Sequence, residues 1–200
     1  MQLVIGNKNY SSWSMRPWVL LRQFGIPFDE VMARFDGFVV WDTLAIAEFV
    51  AEKFPAAALW PRDAKRRARA RSLCAEMHSG FGALRNLFGM NIEAALPEVG
   101  ARLLAEHADL RADLARIFAL WQAALAESGG PFLFGDYTIA DAYFAPVVMR
   151  LRTYAPPQPA DVAAYAARMV ATRGVAAWIR DALEEKDFRP FEEPYRTSRD

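Results

Sequence analysis

The stretch Thr138-Ile139-Ala140-Asp141-Ala142-Tyr143-Phe144-Ala145-Pro146-Val147-Val148-Met149-Arg150-Leu151 decides the architecture. From Ile139 to Leu151 it is nearly apolar all round, and a helix without a polar face is a buried one. Thr138 and Asp141 stand at capping-box spacing, with Asp in place of Glu. The hydroxyl can accept from the N–H three residues on while the carboxylate reaches back. Unpaired donors at a buried helix start are expensive, so this box serves folding rather than chemistry. A buried helix needs others around it. Residues 63–90, 100–128, 161–172 and 175–186 carry Ala, Leu and Arg at helical spacing, separated by breakers such as Pro156-Pro157-Gln158-Pro159 and Gly174. The pattern predicts an all-α region over residues 62–200.

Upstream of Pro61 the texture changes to α/β. Leu3-Val4-Ile5 reads as a buried strand, and residues 15–24 as a helix with Pro17 in its first turn, where a missing N–H costs little. Gly25 supplies the C-terminal cap and Pro27 prevents resumption. Residues 28–35 and 38–41 read as strands, and residues 43–54 as a helix stopped by Pro55. Between the two strand patterns, Asp36-Gly37 is a hairpin signal.

Composition narrows the function. The 200 residues are 54% hydrophobic and 24% charged, which excludes a disordered or collagen-like chain. Lys+Arg 24 balances Asp+Glu 24, so there is no basic field to hold a nucleic-acid backbone, and the Lys65 to Arg71 run reads as a solvated face or a subunit contact. No apolar run is long enough for a signal peptide or membrane span, and the lone Cys74, beside Leu73 and Ala75, reads as a buried, inert thiol. These features point to a cytoplasmic protein. With only His78 and His107, neither a serine triad nor a zinc cluster has its ligands.

Two stretches could carry chemistry. Asn9-Tyr10-Ser11-Ser12-Trp13-Ser14-Met15-Arg16-Pro17-Trp18 places hydroxyls at a helix N-terminus, where free N–H groups and the dipole favour an anion. One of Ser11, Ser12 or Ser14 serving only as an N-cap explains it equally. Asp42-Thr43 opens the next helix. It is either a plain N-cap or a pair able to take a ligand's amino and carboxylate groups.

Together with Gly25-Ile26-Pro27-Phe28, Trp41-Asp42-Thr43-Leu44-Ala45-Ile46 and Gly135-Asp136-Tyr137-Thr138-Ile139-Ala140-Asp141, the serine-rich turn resembles cytosolic glutathione S-transferases. Ser11-Ser12 before Arg16 is most similar to the zeta class, the maleylacetoacetate isomerases, and to its bacterial relatives. Trp13 stands where that pattern has cysteine. The resemblance implies a thioredoxin-like domain over residues 1–57, an all-α domain over 62–200, glutathione as cosubstrate, a small electrophilic second substrate, a role in detoxification, and a homodimer. It implies that Ser11 faces the glutathione sulfur, with Ser12 as its neighbour and Tyr10 as the lesser alternative. Trp13, Asp42 and Thr43 become the glutathione-binding candidates, with Asp42 and Thr43 on the γ-glutamyl group. Arg16 supports the helix start, and Arg150 or Arg152 falls near the place of a carboxylate-binding arginine. The second substrate would enter between the domains.

The resemblance also implies a helix and a cis-proline-led strand before Asp42. No proline lies between Pro27 and Pro55. In that sheet the strands flanking Asp36-Gly37 sit about 14 Å apart, whereas bonded Cα atoms lie about 3.8 Å apart. We therefore read residues as missing between positions 36 and 37. If nothing is missing there, the alternative is a non-catalytic binding or interaction protein on the same fold. The tail, residues 188–195, either packs over a subunit or stays loose.

Overall fold

The structure, a computed structural model, describes residues 1–31 and 40–199. Strand β1 (Gln2–Val4) pairs in parallel with β2 (Asp29–Val31), Gln2 facing Asp29 and Val4 facing Val31. Parallel neighbours need a crossover, and α1 (Ser12–Gln23) provides it. The Asp36-Gly37 junction and most of the two strand patterns around it lie outside the described residues. Val40 and Trp41, expected in a strand, are in none: Trp41 is 79% exposed and leads directly into the cap of the next helix.

Helix α1 begins three residues before the pattern predicts, because the Ser11 side chain captures the Ser14 N–H. Pro17 consequently sits inside the helix. Its missing N–H deprives only the carbonyl of surface-exposed Trp13. At the far end, Gly25 adopts φ +65°, while the Gly25 and Ile26 amides donate to the Arg22 and Leu21 carbonyls, a Schellman stop. Helix α2 (Thr43–Lys53) follows the expected bounds closely.

The helical region differs from its expected bounds where side chains cap the backbone. The helix expected over 63–90 is α3 (Ala64–Ser79) and α4 (Gly82–Leu87), broken where Phe81 turns to φ 58°. The one expected from Gly100 is α5 (Pro97–Glu106) and α6 (Ala108–Ser128), parted at His107, where Arg111 donates to the Leu104 and Ala105 carbonyls. Helices α7 (Ile139–Tyr154), α8 (Ala160–Ala171) and α9 (Arg173–Glu185) complete the bundle. In α7 every residue but Arg152 is buried, and α1, α3, α5 and α8 pack around it.

The break between α8 and α9 falls at Thr172, and Gly174 has a different task. A Cβ there would lie 2.4 Å from the Val19 carbonyl oxygen of α1, so α9 approaches α1 only because glycine is present. Gly174→Ala is expected to destabilise the chain by about 2 to 3 kcal/mol by forcing the two backbones apart. A urea midpoint unchanged from wild type would contradict this close approach.

In the basic run on α3, Arg69 and Arg71 form ion pairs, while Arg66 and Arg67 donate to backbone carbonyls. Arg71 grips Glu48 of α2 through two bonds of 2.7 and 3.0 Å, Trp60 Nε1 donates to the same carboxylate, and Arg69 pairs with Glu127 of α6. The Arg71 and Trp60 bonds to Glu48 tie α2 to the helical region, and the Arg69 pair ties α3 to α6.

Candidate active site

Two helix N-termini, those of α1 and α2, are drawn together by side chains from the helical region. At α1, Ser11 is the N-cap: its Oγ accepts the Ser14 N–H at 3.3 Å and donates to Ser14 Oγ at 2.8 Å. Ser14 Oγ also accepts the Gly6 N–H at 2.8 Å. The Ser12 hydroxyl, partly exposed in the first turn, has no partner among the described residues. Tyr10 is occupied elsewhere, donating to Glu193 Oε1 at 2.7 Å. Burial and that bond to a carboxylate raise its pKa, which leaves the serines as the donors of this turn.

At α2, Asp42 is the N-cap with φ 77°, a costly backbone for a non-glycine residue. Its Oδ1 accepts from the Leu44 and Ala45 amides at 2.8 and 3.2 Å. Its Oδ2 lies 3.1 Å from His78 Nε2 of α3. Thr43 Oγ1 accepts the Tyr143 hydroxyl of α7 at 3.1 Å.

Trp13 and Arg16 join the two ends. The half-exposed Trp13 ring meets His78 edge-on at 5.1 Å between centroids. The Arg16 guanidinium lies 4.4 Å from the Trp13 ring centre and 5.2 Å from that of Tyr143. Arg85 flanks Trp13 at 5.2 Å. Arg16 is 2% exposed, its Nε and Nη1 have no partner among the described residues, and burial lowers its pKa to about 10. One path runs from Trp13 through Arg16 and Tyr143 to Thr43, the other from Trp13 through His78 to Asp42. These paths join Trp13, Asp42 and Thr43, while Ser11 and Ser12 stand at the start of α1 next to Trp13.

Sequence reasoning missed His78, Tyr143 and Arg85 as parts of this site, and held Ser14 only as one of three N-cap candidates. Only Tyr143 left a signal: a phenol in an otherwise apolar buried helix must find a hydrogen-bond partner. The arginines expected near a carboxylate do not converge here. Arg150 is buried and donates to the Phe88 and Pro146 carbonyls, its pKa lowered to about 9 by burial and by Arg16 and Arg85, while Arg152 is exposed. Cys74 is buried, which raises its pKa well above that of a reactive thiol. One surface cleft, lined by Arg22, Gly25 and Arg173, lies at the opposite end of α1 and contains none of the candidates.

Residues 67–181, more than half of the chain, match the family model described as glutathione S-transferase, C-terminal domain. The chain belongs to the glutathione S-transferase family. No curated protein matches its sequence. A glutathione transferase homolog from Burkholderia GL BGR1, solved with bound glutathione, is 24% identical over 92% of this chain and 98% of its own, with a TM-score of 0.70. A glutathione transferase from Methylococcus capsulatus str. Bath is 19% identical over 92% and 98% of the two chains, TM-score 0.64. Glutathione transferase Omega 2S from Trametes versicolor, in complex with 2,4-dihydroxybenzophenone, is 19% identical over 94% and 97%, TM-score 0.64. These likenesses show the glutathione S-transferase fold: a thioredoxin-like start followed by an all-α region. Among the described residues no helix is long and apolar enough to cross a membrane, and no group of His, Cys, Asp and Glu side chains is placed to hold a metal ion.

Proposed function

We propose that this chain is a glutathione transferase, zeta-like in its serine turn, in which Ser11 stabilises the glutathione thiolate and Asp42 with Thr43 receives the γ-glutamyl end. The observation that carries this reading is the joining of the two helix N-termini through Trp13, Arg16, His78 and Tyr143. The donor set suits the tripeptide. Hydroxyls at α1 match a thiolate, while a carboxylate and a hydroxyl at α2 match an ammonium and a carboxylate.

The serine turn can act as a polarised donor chain. Ser11 and Ser14 are both donors and acceptors, so their protons can reverse direction when an anion arrives. Gly6 N–H then donates to Ser14, Ser14 to Ser11 and Ser11 to the sulfur, each bond strengthening the next. Ser12 adds a neighbouring hydroxyl. Trp13, flanked by His78 and Arg85, fills the place of the zeta-class cysteine, so the reading is thiolate attack on a small hydrophobic electrophile, with related isomerisation as its variant. It includes residues 1–57 as the glutathione-binding domain, residues 62–200 as the helical domain, a homodimer and a cytoplasmic setting.

Titration calorimetry with glutathione on the full chain tests the reading. Wild type should bind, and Thr43→Ala should bind about tenfold more weakly, the loss of one hydrogen bond to a charged group. Absence of any binding heat for wild type would defeat the proposal.

A further inference from the structure

The turn that carries Ser11 is held from the other end of the chain. Asn7 Nδ2 donates to Asp187 at 3.2 Å. The Lys8 amide donates to Glu185 at 2.9 Å, its Nζ pairs with Glu30 and Asp181, and its carbonyl accepts from Trp178 Nε1 at 2.8 Å. Asn9 Oδ1 accepts the Ile92 and Glu93 amides at 2.7 and 3.0 Å. Tyr10 completes the series on Glu193. Within the turn, Asn7 Oδ1 accepts the Asn9 and Tyr10 amides at 2.8 and 3.2 Å and the Asn7 carbonyl accepts the Ser11 amide at 3.0 Å, and each of the four residues before Ser11 is in addition anchored to residues far away in sequence, which fix where the turn sits.

Glu193 is the centre of this clasp. It is 5% exposed, accepts Asn91 Nδ2 at 2.8 Å and Arg196 Nε at 2.9 Å besides the Tyr10 hydroxyl, and Tyr195 beside it donates to the Leu87 carbonyl. Arg196 and Arg199 reach Glu93, so residues 91–93 and 193–199 also grip each other around the turn. Burial pushes the Glu193 carboxyl up, but the bonds from Arg196 and Tyr10 outweigh it and hold the group below its ordinary value.

We propose that residues 187–196 form a strap that sets the Ser11 turn for thiol activation, with Glu193 as a positioning residue acting through Tyr10. The strap's effect on the thiol rests on the assignment of Ser11 above. Its effect on the order of the turn does not. A donor aimed at sulfur works only in the right place, and a misplacement of about 1 Å can cost about a hundredfold in rate.

Tyr10→Phe in the full chain removes one hydroxyl and leaves Glu193 its Asn91 and Arg196 bonds. Amide exchange over residues 7–14 should quicken about tenfold. With chlorodinitrobenzene as electrophile, kcat should fall about fivefold to tenfold, and the acid limb of kcat/KM should move up by about half to one pH unit, with the KM for glutathione little changed. Glu193→Ala should reproduce both effects, and adding Tyr10→Phe to it should bring no further loss, because the two act in series. Wild-type exchange in Tyr10→Phe overturns the strap, as does quickened exchange with an unmoved acid limb. If wild type neither binds nor activates glutathione, the functional reading fails, and exchange alone then decides whether the strap orders the turn.

Discussion

Ser11→Ala should lose most thiolate formation while still binding glutathione. A cysteine-like thiol has a pKa of about 8.5, and holding it near 6.5 requires about 2.7 kcal/mol of preference for the thiolate. One hydrogen bond to a charged acceptor contributes about 1.5 to 3 kcal/mol, and a helix N-terminus adds about 0.3 to 1 kcal/mol. On the proposed assignment Ser11 therefore carries most of the shift. Without it the helix N-terminus alone holds the pKa near 8, and the thiolate fraction at pH 7 should drop about fivefold to fifteenfold, with kcat/KM following. Binding persists because Asp42 and Thr43 sit on another helix. The variant also loses the N-cap of α1, at about 1 kcal/mol of stability, so unfolding must be followed alongside. Ultraviolet titration of bound thiolate is the deciding measurement. A curve unmoved by Ser11→Ala but displaced by Ser12→Ala would transfer the role to the unengaged hydroxyl.

What could be read from the chain and what could not divide along a physical line. Helix α7 was legible because an all-apolar face and a capping box are local signals, and the Gly25 stop was legible because a left-handed helix end favours glycine and Pro27 follows it. The breaks at Phe81 and His107 were not, since neither the left-handed backbone of Phe81 nor the capping of the last α5 carbonyls by Arg111 shows in apolar spacing. At the site, Ser11, Ser12, Trp13, Asp42 and Thr43 were legible as a resemblance. The joining of Trp13 to Asp42 and Thr43 was not, because it depends on His78 and Tyr143, which reach Asp42 and Thr43 from distant parts of the chain. Three serines competed for one N-cap in the sequence. Only the folded turn shows Ser11 capping and Ser14 bridging it to Gly6. The tail offered two readings, and its bonds to Tyr10 and Asn91 select a third: packing within its own chain.

Asp141→Ala should produce the largest loss of stability, about 3 to 5 kcal/mol at pH 7, because one buried carboxylate satisfies four donors. Oδ2 accepts the Thr138 N–H at 2.8 Å and the Thr138 hydroxyl at 3.2 Å, while Oδ1 accepts the Leu133 N–H at 3.1 Å and the Tyr165 hydroxyl at 3.0 Å. Removing it orphans all four in the core. Burial nonetheless outweighs these bonds and raises the Asp141 pKa to about 6. The folded state therefore holds a proton more tightly than the unfolded chain, where aspartate titrates at about 3.9. The stability gained by protonation is complete below about pH 4 and is lost as pH rises through about 6, a change of about 3 kcal/mol. Asp141→Asn cannot titrate and presents an NH2 to two of the donors, so its deficit against wild type should be largest near pH 4 and shrink towards pH 7. Urea unfolding of both proteins across that range is the check, and a gap that widens with pH would contradict the buried-carboxyl account. Loss of the box also loosens the start of α7, from which Tyr143 reaches Thr43. Asp141 variants that still fold should therefore bind glutathione more weakly, although Asp141 itself touches none of the site residues.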